Sequence, residues 1–142
     1  MNYDPRRLFC RQYIPILQMI EDDPDLKQAC GEYSAYSREN PHRSVMRYLM
    51  RHFMKDAYRA GIVVTDYMEI VEGSGLQDEV GEPSDEVLAA LTPEQLLGCI
   101  AWHFRRDHFS EGSLISASIA KGHMLRMLEA LAEKAGYIDP DQ

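Results

Sequence analysis

Few cysteines, a single tryptophan and no long apolar run mark this 142-residue sequence. Its three cysteines, Cys10, Cys30 and Cys99, are odd in number and lie at no paired spacing. A disulfide framework and a zinc ribbon are therefore excluded as its organising device. No stretch approaches the ~18 apolar residues that a membrane span needs. Met1 to Arg7 holds no apolar signal core, so a cytoplasmic location without a membrane partner is expected. Catalytic signatures are missing too: there is no HExxH helix and no G-x-S-x-G nucleophile elbow. Gly73-Ser74-Gly75 has neither a following lysine nor a strong preceding strand, so it is no phosphate loop. No cofactor is implied. Internal repeats and low-complexity tracts are also absent.

What is present is charge, unevenly placed. The formal net charge is −8. Between Ile62 and Ile100 there is no lysine or arginine, and nine acids give that stretch −9. Between Pro41 and Gly61, Arg43, Arg47, Arg51, Lys55 and Arg59 face Asp56 alone, giving +4. The simplest expectation is that the basic and acidic faces partly neutralise each other, or are both solvated.

Apolar spacing and caps predict an all-α chain of six to seven helices in one compact domain. Its parts are N-terminal helices and a loop (1–40), a basic helix (41–61), an acidic connector (62–91) and C-terminal helices (92–136). Asp4-Pro5 starts a helix to about Glu21, and Pro15 predicts a kink there or a break near Tyr13. Asp23 caps a short helix from Pro24 to Cys30, and Glu32 to Glu39 reads as loop. Asn40-Pro41 opens the clearest helix, with Val45, Tyr48, Leu49, Phe53, Ala57 and Ala60 as its expected core face. Met46, Met50 and Met54, at four-residue steps, suit either an adaptable contact or core filling. Ile62 to Thr65 suits a short extended piece. Asp66 is placed to cap a short helix through Val71, before an acidic loop from Glu72 to Pro83. Ser84 caps the next helix, to Leu91, and Thr92-Pro93-Glu94-Gln95 is a capping box opening a helix to about Arg106. Ser110 is the expected cap of a helix to Lys121, and the last helix runs from His123 to Ala135.

Three phrases resemble an uncharacterised prokaryotic family, the domain-of-unknown-function family six-five-zero-eight. They are Phe53 to Val63 with Asp66-Tyr67, Leu91 to Leu97, and Arg106 to Leu114 with Gly122 and Leu125 to Leu128. The match covers roughly Tyr48 to Leu131, and Phe109 to Gly112 is its most distinctive part. His108 stands where the family pattern has arginine, and Tyr67 where it has tryptophan. The resemblance implies a compact helical bacterial or phage domain and carries no activity with it.

Chemistry-bearing residues concentrate in three places. The first is the polar patch His103, Arg105, Arg106, Asp107 and Glu111, with His108. His103 and Asp107 share a helix face, but a metal needs a third ligand, for which only His123 offers itself; no metal site is assigned. Arg105 and Arg106 beside a helix start suit a phosphate-type anion. The alternative is that these side chains cap helix ends and that Gly112 permits close packing on Phe109. The cysteines read as small buried hydrophobes. The second place is the ladder Arg43, Arg47, Arg51, Lys55 and Arg59, whose four-residue step keeps one helix side basic over roughly 24 Å. Such a ridge suits an acidic protein face or a phosphate backbone. The third is Asp78, Glu79, Glu82, Asp85 and Glu86, acids that resemble nucleic-acid phosphates in charge. The expected function is thus a non-enzymatic protein–protein interaction domain. Its sharpest form is a phage or mobile-element inhibitor of a bacterial nuclease or nucleic-acid-handling complex, as anti-CRISPR proteins are. The alternatives are a nucleic-acid-binding accessory protein using residues 43–59, or an enzyme centred on 103–111.

Overall fold

The computed structural model describes residues 4–33, 39–107 and 110–137. Eight helices follow one another, and no strand occurs among the described residues: α1 (Pro5–Asp22), α2 (Pro24–Gly31), α3 (Arg43–Arg59), α4 (Tyr67–Gly73), α5 (Asp85–Ala90), α6 (Pro93–Arg106), α7 (Ser113–Ala120) and α8 (His123–Lys134). That is one more than the upper end of the six to seven expected from the sequence, within the same all-α class. No helix among the described residues is long and apolar enough to cross a membrane.

α1 passes unbroken through Pro15, so the predicted break near Tyr13 does not occur. Pro15 lies on the exposed side, where the missing hydrogen bond leaves a carbonyl for water. The opposite side, Phe9, Cys10, Tyr13, Ile14, Leu17 and Ile20, is buried and holds the helix together. Asp4 accepts from the Arg6 amide as the N-cap. Asp23 does the same for α2, Ser84 for α5, and Thr92 with Gln95 forms the reciprocal box of α6.

α3 starts later than expected. Asn40 is buried and forms a turn, accepting from the His42 amide at 2.9 Å and donating to the Ala29 carbonyl at 2.8 Å. The helix itself begins at Arg43. Its core face is Met46, Met50, Phe53 and Ala57; Val45 and Tyr48, expected inside, are 57% and 67% exposed. The unbranched methionines fill the space that Val45 and Tyr48 were assigned. Where a short extended piece was expected, the chain instead closes α3: the Ile62 amide bonds the Ala57 carbonyl at 3.0 Å around Gly61, whose φ is +75°. This is a Schellman closure with Ile62 as its buried apolar contact.

The core joins α1, α3 and α6 through a ring cluster. Phe9, Tyr13, Phe53 and Phe104 stack with centroids 4.8 to 5.4 Å apart. α8 buries Met124, Leu125, Met127, Leu128, Leu131 and Ala132 and packs against both α1 and α6. α7 packs on α2, with the Ser116 hydroxyl donating to the Cys30 carbonyl and the Cys30 thiol to the Ser116 carbonyl. Lys134, at the end of α8, donates to the Leu88, Ala89 and Leu91 carbonyls and so satisfies the C-terminus of α5, where a cation suits the helix dipole.

Candidate functional site

The polar patch of residues 103–111 does not form one site. His103 is buried, and its Nδ1 and Nε2 lie 2.8 Å from the Cys99 carbonyl and 3.1 Å from the Gly81 carbonyl. Asp107 is fully buried and accepts from the amides of Gly112, Leu114 and Ile115 at 2.5, 2.6 and 3.0 Å. The Asp107 oxygens are thus committed to backbone amides and both His103 ring nitrogens face backbone carbonyls, and no group of three metal-binding side chains exists among the described residues. Arg105 sits over the Tyr67 ring at 5.9 Å, and Arg106 over Trp102 at 4.7 Å. Glu111 points elsewhere, to the flank of α3. The expected cap Ser110 makes no cap bond; α7 begins after Gly112, and Asp107 reaches its amides from the end of α6. His108 and Phe109, and with them the proposed packing of Phe109 on Gly112, lie outside the described residues, as do residues 34–38 of the predicted 32–39 loop.

Burial favours the uncharged His103 ring and holds its pKa below the ordinary value; the two carbonyls oppose this and Arg106 adds to it. His123 is lowered too, by burial first and then by Arg126. A base with a depressed folded pKa binds its proton more readily when unfolded. Stability is therefore lost as pH falls from about 6.5 toward the folded value. The melting temperature is expected to drop between about pH 7.5 and pH 5.5, and His103→Gln to flatten part of that drop. An unchanged pH slope in the variant would show that His103 does not titrate as described.

The cysteines carry no nucleophile. All three are buried. Burial, with Asp4 nearby, pushes the Cys10 thiol up to about 12; burial lifts Cys99 to about 11 and raises Cys30 as well. Such thiols stay protonated and unreactive at neutral pH.

The basic ladder is presented to solvent. Arg47, Arg51, Lys55 and Arg59 are exposed, and Arg43 is half-buried. Among the described residues no carboxylate lies within ion-pair distance of Arg47, Arg51, Lys55 or Arg59. Asp56, the one acid in α3, accepts from the Tyr13 hydroxyl at 2.5 Å toward the core. At about 100° per residue the cations sweep the side opposite Met46, Met50, Phe53 and Ala57. Tyr48, 67% exposed with its ring 4.2 Å from His52, and Tyr58, 43% exposed, interleave with them. Beside the ridge lies a groove of about 360 Å³ lined by Tyr33, Arg47, Met50, Arg51, Met54 and Glu111. Glu111 has φ +50°, an uncommon conformation for a side-chain-bearing residue, and its carbonyl accepts from the Tyr33 hydroxyl at 3.5 Å.

The acidic residues do not neutralise this ridge. Glu82 pairs with Lys121 at 3.4 Å and Asp85 with Arg126 at 3.7 Å. Asp78, Glu79 and Glu86 are exposed without an ion pair among the described residues. A sequence reading also missed a cleft of about 230 Å³ between the Gly81 turn, α6, α7 and the start of α8. Its only sequence signals are Trp102 and Arg106 one turn apart and a serine, Ser118, within the apolar run of α7.

The model of a family of unknown function (DUF6508) matches residues 12–136, and the chain belongs to that family. The match extends the resemblance seen in the sequence back through α3 and α2 into α1. No curated protein and no solved structure matches the chain.

Proposed function

We propose that this family member is a non-enzymatic binding protein that presents the exposed face of α3 to an acidic protein surface. One observation carries the reading. Four cations on that face have no acid to pair with among the described residues, and exposed tyrosines stand between them. Arginine and tyrosine are the residue types that concentrate binding energy at protein interfaces. The adjoining groove gives a partner carboxylate a place between Arg47 and Arg51. The net charge of −8 disfavours a polyanion as long as nucleic acid and favours a local acidic patch on a protein. The non-enzymatic part is supported by the protonated thiols and by the backbone bonds that occupy His103 and Asp107.

An inhibitor of a nucleic-acid-handling complex remains the sharper form of this proposal. Asp78, Glu79 and Glu86 support it as unpaired exposed acids; Glu82 and Asp85 support it less, each having a cation beside it. Binding of single-stranded nucleic acid is a second reading, favoured by the exposed Tyr48 ring between cations, an arrangement on which bases stack.

The test is capture from bacterial lysate with the tagged protein, with and without nuclease, beside the Arg47→Glu, Arg51→Glu double variant. The expected result is an acidic protein retained after nuclease and lost in the double variant, with affinity down about 100-fold or more and helicity unchanged. Retention by the double variant would reduce the ridge to a solvated face. Loss of all captured material on nuclease treatment would transfer the assignment to nucleic acid.

A further inference from the structure

The cleft beside α6 is separate from the α3 ridge, and its walls have a definite chemistry. Trp102, Leu114 and Ala117 supply apolar surface. The Gly81 turn closes one side, and the His103 ring lies between its carbonyl and that of Cys99, with both ring nitrogens facing backbone. Ser118 lies in the wall, only 7% exposed, and its hydroxyl, closed off from solvent, has no hydrogen-bond partner among the described residues. A buried hydroxyl without a partner is costly, and native structures satisfy nearly all such groups. The guanidinium of Arg106 lies over Trp102 at 4.7 Å, and no carboxylate pairs with it among the described residues. Lys121 also lines the cleft, but Glu82, another lining residue, largely offsets its charge. His123 adds no full charge at neutral pH, because burial and Arg126 keep its ring neutral. The lining is thus left with one uncompensated cation, Arg106, one orphan hydroxyl and an aromatic wall.

We propose that this cleft binds a small planar organic anion of the aromatic monocarboxylate class, with its ring against Trp102 and its carboxylate on Arg106. The size agrees. An apolar cavity of about 150 Å³ takes a benzene ring, so about 230 Å³ holds a ring with a carboxylate attached. Planar guanidinium and carboxylate match in bidentate geometry. A dianion exceeds the single free cation, and a neutral ring leaves Arg106 unused.

The single tryptophan of the sequence is Trp102, so its fluorescence reports this cleft alone. Titration of the full chain with benzoate should give a saturable change with a dissociation constant of about 0.1–5 mM. Benzamide, its neutral counterpart, should bind at least about tenfold more weakly. Arg106→Met should weaken benzoate about tenfold or more. The Ser118→Ala protein should melt at or above the parent temperature, since the hydroxyl it removes has no partner. No saturable change with benzoate, equal binding of benzamide, or unaltered affinity in Arg106→Met would each overturn the assignment.

Discussion

Asp107→Ala should be the most damaging single truncation of a polar side chain in this protein, costing about 3–5 kcal/mol of stability. Asp107 is fully buried, yet it sits where α6 ends and α7 has not begun. One carboxylate oxygen accepts from Leu114 and Ile115, and the other from Gly112. α7 has no side-chain cap of its own, so Asp107 performs that task from six residues upstream. Burial pushes its carboxyl above the ordinary value, and the three amides draw it back. Removing it leaves three amides at a helix start without an acceptor, each costing about 1–3 kcal/mol where water cannot reach. The relief of an unpaired buried charge offsets part of this. Asp107→Asn should fall between parent and alanine: its oxygen keeps Leu114 and Ile115, while its amide faces the Gly112 N–H donor to donor. Denaturant melts of the three proteins check the order, and amide exchange at Leu114 and Ile115 should accelerate first. A cost under about 1 kcal/mol for alanine would show that the amides find other partners.

Asp107 also marks the limit of what the sequence displayed. Most caps that act within a few residues were legible: Asp4, Asp23, Ser84 and the Thr92–Gln95 box occupy their expected places, while Asp66 stands before α4 without a side-chain cap bond. Asp107 caps across a turn, and local spacing offered a nearer serine, Ser110, as the candidate. Helix roll was equally hard to read. Val45, Tyr48, Leu49 and Phe53 have good helical spacing, but Met46, Met50, Phe53 and Ala57 have it too, and only tertiary packing chooses between two stripes about 95° apart. The choice leaves Tyr48 exposed among the cations on which the proposed function rests. The basic ladder itself was legible, since every fourth residue of one helix must stay on one side. The cleft at Trp102 was not, since α6, α7, α8 and the Gly81 turn meet only in three dimensions.

Gly112→Ala should cost about 2–4 kcal/mol and lower the melting temperature by roughly 5–15 °C. Gly112 has φ +94°, a region that a side chain enters at a cost of about 1–2 kcal/mol. It follows Glu111, which has φ +50°, so two successive left-handed residues make the corner. Space adds a second penalty. A Cβ at Gly112 would stand 2.9 Å from Cβ of Met50 and 3.2 Å from its Cγ. Met50 belongs to the buried face of α3, so the corner and the ridge helix must separate. The two penalties can be told apart by Met50→Ala, which removes the Cγ contact and leaves Cβ and the backbone strain. The Gly112→Ala, Met50→Ala pair should be less damaging than the sum of its parts by about 1 kcal/mol, a coupling a double-mutant cycle resolves. Additive effects would place the cost in the backbone strain and the Cβ–Cβ contact, which Met50→Ala leaves in place. The most distinctive phrase of the family resemblance, which ends at Gly112, then has a structural meaning. Gly112 supplies the amide that Asp107 holds and the bare Cα that lets α3 lie close, so it fixes where the Arg47–Arg51 groove sits, and Glu111 of the same phrase lines that groove.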